Sequence, residues 1–469
     1  MESREVPGLV ARRLAVQALE RLEREGAYLS LALRALLARR HASPAQAAAA
    51  TALATGVVRW RSRLDYALGR VSRRPRDSVD PTLWQILRVA AYEIGFSRET
   101  PAPVAVDLAV RQARDLGGGP AAFANAVLRA LVREADGGLP APSDGPLDAR
   151  LAVTHSHPRW LVRRWLDRWG ATTTEAILRA DNEPLPLSVR VNPLRATPER
   201  LGEVWRARGV RAHPTPLVPG GLWLEGGGGA VESLPGFEEG WFTPQSEAAM
   251  LAGHVAGARA GERIADLCAA PGGKTTHLAE SSGDAARIVA IDAHAARLGL
   301  VRRNARRLGL RSIRTVLGDA TRVPLAPGRF DLVLLDAPCT ALGTLARHPD
   351  VRWRRRLEDV EAMARLQREL LEAAVDLLRP GGRLIYSVCS FEAEETVEHV
   401  RRLSADARLE RVPIPPPQAP AGLDCAQPET AEGLILLPHR CRTDGFFVVR
   451  FDRSRVTRPA GGRAAGHEK

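Results

Sequence analysis

Lysine is almost missing from this 469-residue chain: only Lys274 and Lys469 occur, and arginine supplies the rest of the 67 lysine-plus-arginine total. An internal lysine that survives such a bias marks a place where a compact ammonium is needed and a planar guanidinium does not serve. Long apolar runs are also lacking; none approaches the roughly 20 residues of a membrane span. The N-terminus, Met1 to Glu5, has no basic stretch followed by an apolar one, so the expectation is an unexported, cytoplasmic protein without a membrane partner. No two cysteines form a CxxC pair and no histidines cluster at metal-ligand spacing, which argues against a metal. The five cysteines, 268, 339, 389, 425 and 441, read as individually placed thiols in a reducing compartment. An ordinary 45% hydrophobic content excludes wholesale disorder and a disulfide-stapled miniprotein.

A formal net charge of +13 suits a polyanionic partner, although charge alone decides little. Residues 1–137 read as an all-helical bundle. From Val10 to Arg24, Leu14, Ala18, Leu19 and Leu22 share one face opposite arginine and glutamate, the helical period. Similar patterns span Ala45 to Leu68, Pro81 to Phe96, Val104 to Leu116 and Ala121 to Glu134. This part holds 21 arginines against 14 acids, and phosphate binding fits it better than a solvated adaptor. Asp136 to Asp148 has linker composition, which places a linker at 138–150. Residues 151–245 read as a small α/β module with a helix from Arg159 to Trp169, a strand at Leu187 to Asn192 and a glycine loop at 226–229.

From about Ala249 the rhythm alternates. Apolar runs at Ile264 to Leu267, Ile288 to Ile291, Thr315 to Leu317, Leu332 to Leu335 and Leu384 to Val388 are separated by helix-length segments, with a later strand at Phe446 to Phe451. Residues 246–455 are therefore expected to form a doubly wound, Rossmann-like parallel sheet, and 456–469 a disordered tail.

Ligands of such sheets bind beyond the carboxyl ends of the strands. Asp266-Leu-Cys268-Ala269-Ala270-Pro271-Gly272-Gly273-Lys274 follows the first strand, and its glycines let backbone N–H groups approach a polar ligand. Asp292 ends the second strand about 20 residues on, the place of an acid that accepts ribose hydroxyls. Asp319 and Asp336 end later strands. Any one aspartate is more often a turn or helix cap; the set is less easily accidental. A P-loop reading of Gly273-Lys274-Thr275 fails because Cys268 stands where that pattern requires glycine. Cys339 and Cys389 follow strand ends as well, and two thiols beside a nucleoside site suggest covalent chemistry on a base. Spacing does not decide which thiol attacks.

The stretches DLCAAPGGKTTHLAE, DAPCTALGTLARHPDVRW and YSVCSFEAEE resemble the motifs of the RNA (cytosine-C5) methyltransferases. ATGVVRWRSRLDY and FANAVLRALVR resemble the NusB-type domain that opens bacterial 16S rRNA methyltransferases of the RsmB (Sun/Fmu) class, and SHPRWLVRRW, LSVRVNP, LPGFEEGWFTPQSEAAML and TDGFFVVRF are similar to the same class. Departures are Val388, where threonine is usual, and Thr243-Pro244-Gln245, where Val-Gln-Asp is common. The resemblance implies S-adenosylmethionine as cofactor and RNA, 16S rRNA or an assembling small subunit, as partner of a monomeric enzyme. It further implies that residues 268–274 hold the methionine and ribose part, Asp292 the ribose hydroxyls and Asp319 the adenine edge. Asp336 would sit between cofactor and base, Cys389 would be the nucleophile, and Cys339 would assist product release. A non-catalytic assembly factor on the same scaffold has no need of Lys274, Asp336, Cys339 and Cys389 together.

Overall fold

The computed structural model describes residues 8–97, 99–135, 138–225, 231–414, 426–427 and 433–455. These residues form two compact units: Met1–Pro184 with Leu345–Leu357, and Leu185–Thr344 with Glu358–Lys469. The stretch expected to be a disordered tail, 456–469, lies outside the described residues, as do Cys425 and the glycine run at 226–229.

The first unit is helical. Helices α1 (Leu9–Glu25), α2 (Leu29–Arg39), α3 (Pro44–Val71), α4 (Pro81–Phe96), α5 (Ala102–Ala113) and α6 (Gly118–Glu134) bury one continuous core that includes Leu14, Leu33, Leu64, Leu87 and Leu128. Local chemistry sets their starts: Ser43 and Gln46 form a reciprocal capping box before α3, and the Asp80 side chain caps α4, each with proline at the first turn. The helical core takes in buried cations, Arg12 paired with Glu93 and Arg88 among them. Arg88 is 1% exposed and is held by Asp65 of α3 at 2.6 Å and Glu23 of α1 at 2.7 Å, a charge compensated as burial demands.

Helices α7 (Leu147–Thr154) and α8 (Arg159–Ala180) belong to the same unit. The segment 138–150 therefore ends inside a helix, and the helical unit continues to Pro184. The helix expected at Arg159 to Trp169 ends at a break, Gly170 with φ 73°, and resumes beyond it. The unit also takes in Leu345–Leu357, with α13 (Val351–Arg354). Arg352 is fully buried and donates to Ser156 O at 3.0 Å, Asn182 Oδ1 at 2.9 Å and Asp181 O at 3.1 Å. Burial pulls its guanidinium down to about 9, against the raising charge of Asp181.

The second unit contains two sheets. The smaller is antiparallel in the order β2-β3-β1-β4, from β1 (Leu187–Val191), β2 (Arg211–Pro214), β3 (Gly221–Glu225) and β4 (Phe242–Pro244), covered by α9 (Pro198–Arg206). Val189, Leu201, Trp205 and Phe242 form its core.

The larger sheet places β5 (Arg263–Leu267), β6 (Arg287–Asp292), β7 (Ile313–Leu317), β8 (Phe330–Asp336) and β9 (Leu378–Val388) in the parallel order β9-β8-β5-β6-β7. The apolar runs in the sequence mark all five strands. Antiparallel pairing then extends the sheet through β13 (Phe446–Arg453), flanked by β10 (Leu409–Val412), β12 (Leu434–Leu436) and β11 (Ala426–Gln427). Helices α10 (Glu247–Ala256), α11 (Gly273–Ser281), α12 (Ala295–Leu308), α14 (Leu357–Leu377), α15 (Val397–Ser404) and α16 (Pro438–Cys441) complete the chain order. From β5 the chain steps outward to β6 and β7, then returns to β8 on the other side of β5. The order thus reverses at the β5/β8 pair, and a crevice opens beyond the carboxyl ends of these two strands.

Candidate functional site

The crevice begins with the turn out of β5. Asp266 is 1% exposed and accepts a 2.6 Å bond from Thr275 Oγ1, which folds the start of α11 back on the strand. Its other oxygen, Oδ1, is buried without a partner among the described residues. Burial pushes this carboxyl up to about 7, opposed by Thr275. Cys268 takes a positive φ of 72°, and Gly272, at φ 102°, is the N-cap of α11. A Cβ on Gly272 would stand 3.0 Å from the Val301 backbone, so α12 approaches here only because the side chain is absent. The turn presents a bare backbone at a helix N-terminus, a place suited to polar or anionic ligand groups.

Asp292, at the end of β6, is 4% exposed. It accepts from Ala270 N at 3.2 Å and His294 N at 2.9 Å, so one carboxylate fixes the glycine-rich turn to the neighbouring strand end. Each oxygen keeps a further lone pair for a ligand hydroxyl. Gly318 N donates to Asp292 O at 3.2 Å, which brings the end of β7 alongside. Asp319 is exposed and accepts from Thr321 N and Oγ1 at 2.9 and 2.8 Å; these bonds hold its carboxyl below the usual range.

Across the switch point, Asp336 ends β8. Lys274 Nζ stands 2.6 Å from one of its oxygens and Ser387 Oγ donates to the other at 2.8 Å. The single internal lysine thus stands in the crevice as a point charge, with Nζ 5.4 Å from the centre of the Phe446 ring. The Cys339 and Cys389 sulfurs are 3.3 Å apart, brought together because Asp336 and Ser387 are partners across β8 and β9. The contact with Cys389 and burial both raise the Cys339 thiol well above its ordinary value, and the charge of Glu395 adds to this. Burial raises Cys268 as well, which leaves it an inert thiol lining the turn.

Residues 268–274, Asp292, Asp336, Cys339 and Cys389 therefore converge on one crevice, with Asp319 at its outer rim. Two side chains that sequence reading passed over also build it. Arg190 of β1, 3% exposed, pairs with Glu280 of α11 at 2.8 Å and donates to Gly273 O at 2.8 Å and Thr276 Oγ1 at 3.0 Å. It joins the small sheet to the glycine turn, and nothing in LSVRVNP separates this arginine from a solvated one. Glu395, in the quoted stretch YSVCSFEAEE, is fully buried beneath both cysteine loops. Among the described residues no group of three or more His, Cys, Asp and Glu could hold a metal ion, and no helix is long and apolar enough to cross a membrane.

A nucleoside sulfonium such as S-adenosylmethionine fits these groups. The backbone N–H groups at the start of α11, the buried orphan Asp266 Oδ1 and the acid at Asp292 offer donors and acceptors of the kind a ribose and an amino acid moiety need.

Comparison with known proteins agrees. The family description "16S rRNA methyltransferase RsmB/F" matches residues 255–452, "NusB family" matches 9–133, and "Methyltr_RsmF/B-like, ferredoxin-like domain" matches 157–231. The chain is 33% identical over 450 residues to the probable ribosomal RNA small subunit methyltransferase B of Synechocystis, covering 95% of this chain and 99% of that protein. It is 34% identical to ribosomal RNA small subunit methyltransferase B of Cronobacter sakazakii, covering 94% and 97%. Among solved structures, PH0851 superposes with a TM-score of 0.78 at 27% identity over 95% of this chain and 99% of that one. The methyltransferase homolog protein from Pyrococcus horikoshii gives 0.57 at 28% identity, over 66% and 100%. With this architecture, this site and relatives along its whole length, the chain belongs to the RsmB/F family of 16S rRNA methyltransferases, which depend on S-adenosylmethionine.

Proposed function

We propose that this protein methylates C5 of a cytidine in 16S rRNA through a covalent bond between Cys389 and C6 of the base. The observation that carries the reading is the pair of sulfurs 3.3 Å apart beside the Lys274–Asp336 pair. N- or O-methylation needs only positioning, whereas C5 of cytosine is a poor nucleophile and has to be activated by addition at C6.

The chain's own groups then act in sequence. Cys389 forms the S–C6 bond as a thiolate, and the C5=C6 electron pair becomes available at C5. Asp336, held by Lys274 and Ser387, stabilises the protonated N3 of the base while this charge develops. When bound, S-adenosylmethionine supplies an electrophilic methyl group. The C5 proton then passes to solvent, the electrons of the C5–H bond reform C5=C6, the S–C6 bond breaks to restore the thiolate, and N3 gives up its proton. Cys339, which holds its proton, assists this release. Residues 268–274 cradle the methionine and ribose part, Asp292 accepts from the ribose hydroxyls and Asp319 from the adenine edge. Incubating the protein with methyl-labelled S-adenosylmethionine and unmodified small-subunit rRNA, then digesting to nucleosides, should give 5-methylcytidine; label in another nucleoside would reject the reading.

Two further outcomes follow from the residue roles. Asp292→Ala should weaken S-adenosylmethionine binding by about 1.5–3 kcal/mol, the scale of hydrogen bonds to a charged group. RNA affinity should stay within about twofold. Calorimetry with the cofactor checks it, and unchanged affinity would remove Asp292 from the cofactor site.

The helical part, expected at 1–137, is assigned affinity for RNA and no chemistry, with 151–245 and 246–455 as the small module and the methyltransferase domain. Between α5 and α6 lies a groove of about 900 Å³ lined by Asn125 and by Arg114, Arg129 and Arg133. All three arginines are exposed. Replacing them together with alanine should weaken RNA binding and lower the slope of log K against log salt by about 2–3, roughly one unit for each phosphate no longer neutralised. Titration at three salt concentrations measures this, and an unchanged slope would exclude the groove.

A further inference from the structure

The two cysteine loops share a buried carboxylate. Glu395 follows β9 in a short 3₁₀ turn, Ala393–Glu395, and is fully buried. Its Oε1 accepts from the Thr340 backbone N–H at 2.8 Å and from Gln367 Nε2 at 3.1 Å. Its Oε2 accepts from the hydroxyls of Thr340 and Ser390, each at 2.5 Å. Thr340 directly follows Cys339, and Ser390 directly follows Cys389. Gln367 of α14 also donates to Pro338 O at 2.8 Å, the carbonyl that precedes Cys339, and its own oxygen lies 3.0 Å from His399 Nε2. Tyr386 of β9 donates to the Glu395 carbonyl at 2.7 Å.

Burying a carboxylate costs several kcal/mol unless hydrogen bonds replace its water. Here four donors do so, and no cation pairs with Glu395 in any ion pair among the described residues. If packing were all this place required, an apolar side chain would fill it at lower cost. The bonds instead go to the residues that flank the two thiols, on loops separated by some fifty positions of sequence. Gly343 locks the same junction from the other side: its N–H donates to Cys389 O at 3.0 Å, and a Cβ there would strike Gly445 O.

We propose that Glu395 is a positioning residue, whose side chain ties the Cys339 loop to the Cys389 loop and so holds the two sulfurs in contact. The working role of that contact rests on the mechanism proposed above; the tether itself does not.

A test independent of methylation uses the thiols as their own ruler. Diamide oxidises two adjacent thiols to a disulfide, taking up their two hydrogens and two electrons to become the hydrazine, and peptide mass mapping of the full-length protein reports the Cys339–Cys389 bond. Glu395→Ala should slow closure at least about tenfold and lower multiple-turnover methyl transfer similarly, with S-adenosylmethionine affinity within about twofold. Glu395→Gln should rescue closure to within about threefold of the parent, because its oxygen still accepts from Thr340 N–H and its amide can donate to hydroxyls that rotate. Should the alanine variant fail to fold, Thr340→Val with Ser390→Ala removes the two hydroxyl links, including the one to the residue after Cys389, and should slow closure in the same direction. Closure at the parent rate in either variant would overturn the proposal, as would a parallel loss of cofactor affinity that marks general collapse. Slow closure with unchanged multiple turnover would leave the tether standing and remove the two-thiol mechanism instead.

Discussion

Cys389→Ala should abolish methyl transfer, by a factor on the order of 10⁴ or more, the scale seen when an essential nucleophile is removed. Without the S–C6 bond nothing raises electron density at C5, so no methylated base and no protein–RNA adduct should form. The loss belongs to chemistry and not to binding: affinity for S-adenosylmethionine and for RNA should stay within about twofold of the parent, because the cradle proposed for the cofactor, 268–274 and Asp292, lies on the neighbouring strand ends. Denaturing gels with labelled RNA, together with cofactor titration, check both halves. Residual turnover above about 1% of the parent would assign the attack to another group.

Cys339→Ala should fail in the opposite way. Cys389 still adds and the methyl group still transfers, but release of the product stalls. A denaturant-stable adduct should then accumulate toward one RNA per protein, while multiple turnover falls by about 10²-fold or more, the usual scale of acid–base assistance. The adduct should require S-adenosylmethionine, and Cys339→Ala with Cys389→Ala should abolish it. The environment of Cys339 explains the assignment. Contact with Cys389, burial and the charge of Glu395 all push its thiol up, so it serves as a proton holder and is a poor source of thiolate. An adduct trapped instead by Cys389→Ala and absent from Cys339→Ala would reverse the two roles and move the nucleophile to the Pro-Cys thiol.

The strands of the large sheet were legible because each is a short apolar run, largely buried in β5, β6, β8 and β9 and half-exposed in the edge strand β7, and five of the six expected runs lie within a parallel strand of the switch-point sheet. Their ends marked Asp292 and Asp336 for the same reason: in a doubly wound sheet, position after a strand decides position in the crevice. What local reading missed was built by long-range partners. Helix α2, LSLALRALLAR, is poor in the charged-face contrast that betrays a helix, and its placement comes from packing on α1 and α3. Residues 345–357 follow a cysteine loop in sequence but join the helical unit, because Arg352 finds Ser156, Asp181 and Asn182 there. The Arg190–Glu280 pair spans 90 positions, and Glu395 reaches Thr340 across 55. Each of these side chains looks like ordinary surface charge until its partner is known.

The central claim is that the cytidine is activated by covalent addition and methylated at C5, and release of the C5 hydrogen tests it most directly. Small-subunit rRNA transcribed with [5-³H]cytidine is incubated with the protein and S-adenosylmethionine, and tritium appearing in water is counted against methyl groups transferred. Attack through C5 predicts one tritium released per methyl group, from the parent protein and not from Cys389→Ala. Methyl transfer with the tritium retained would place the methyl group elsewhere on the nucleotide and contradict the mechanism.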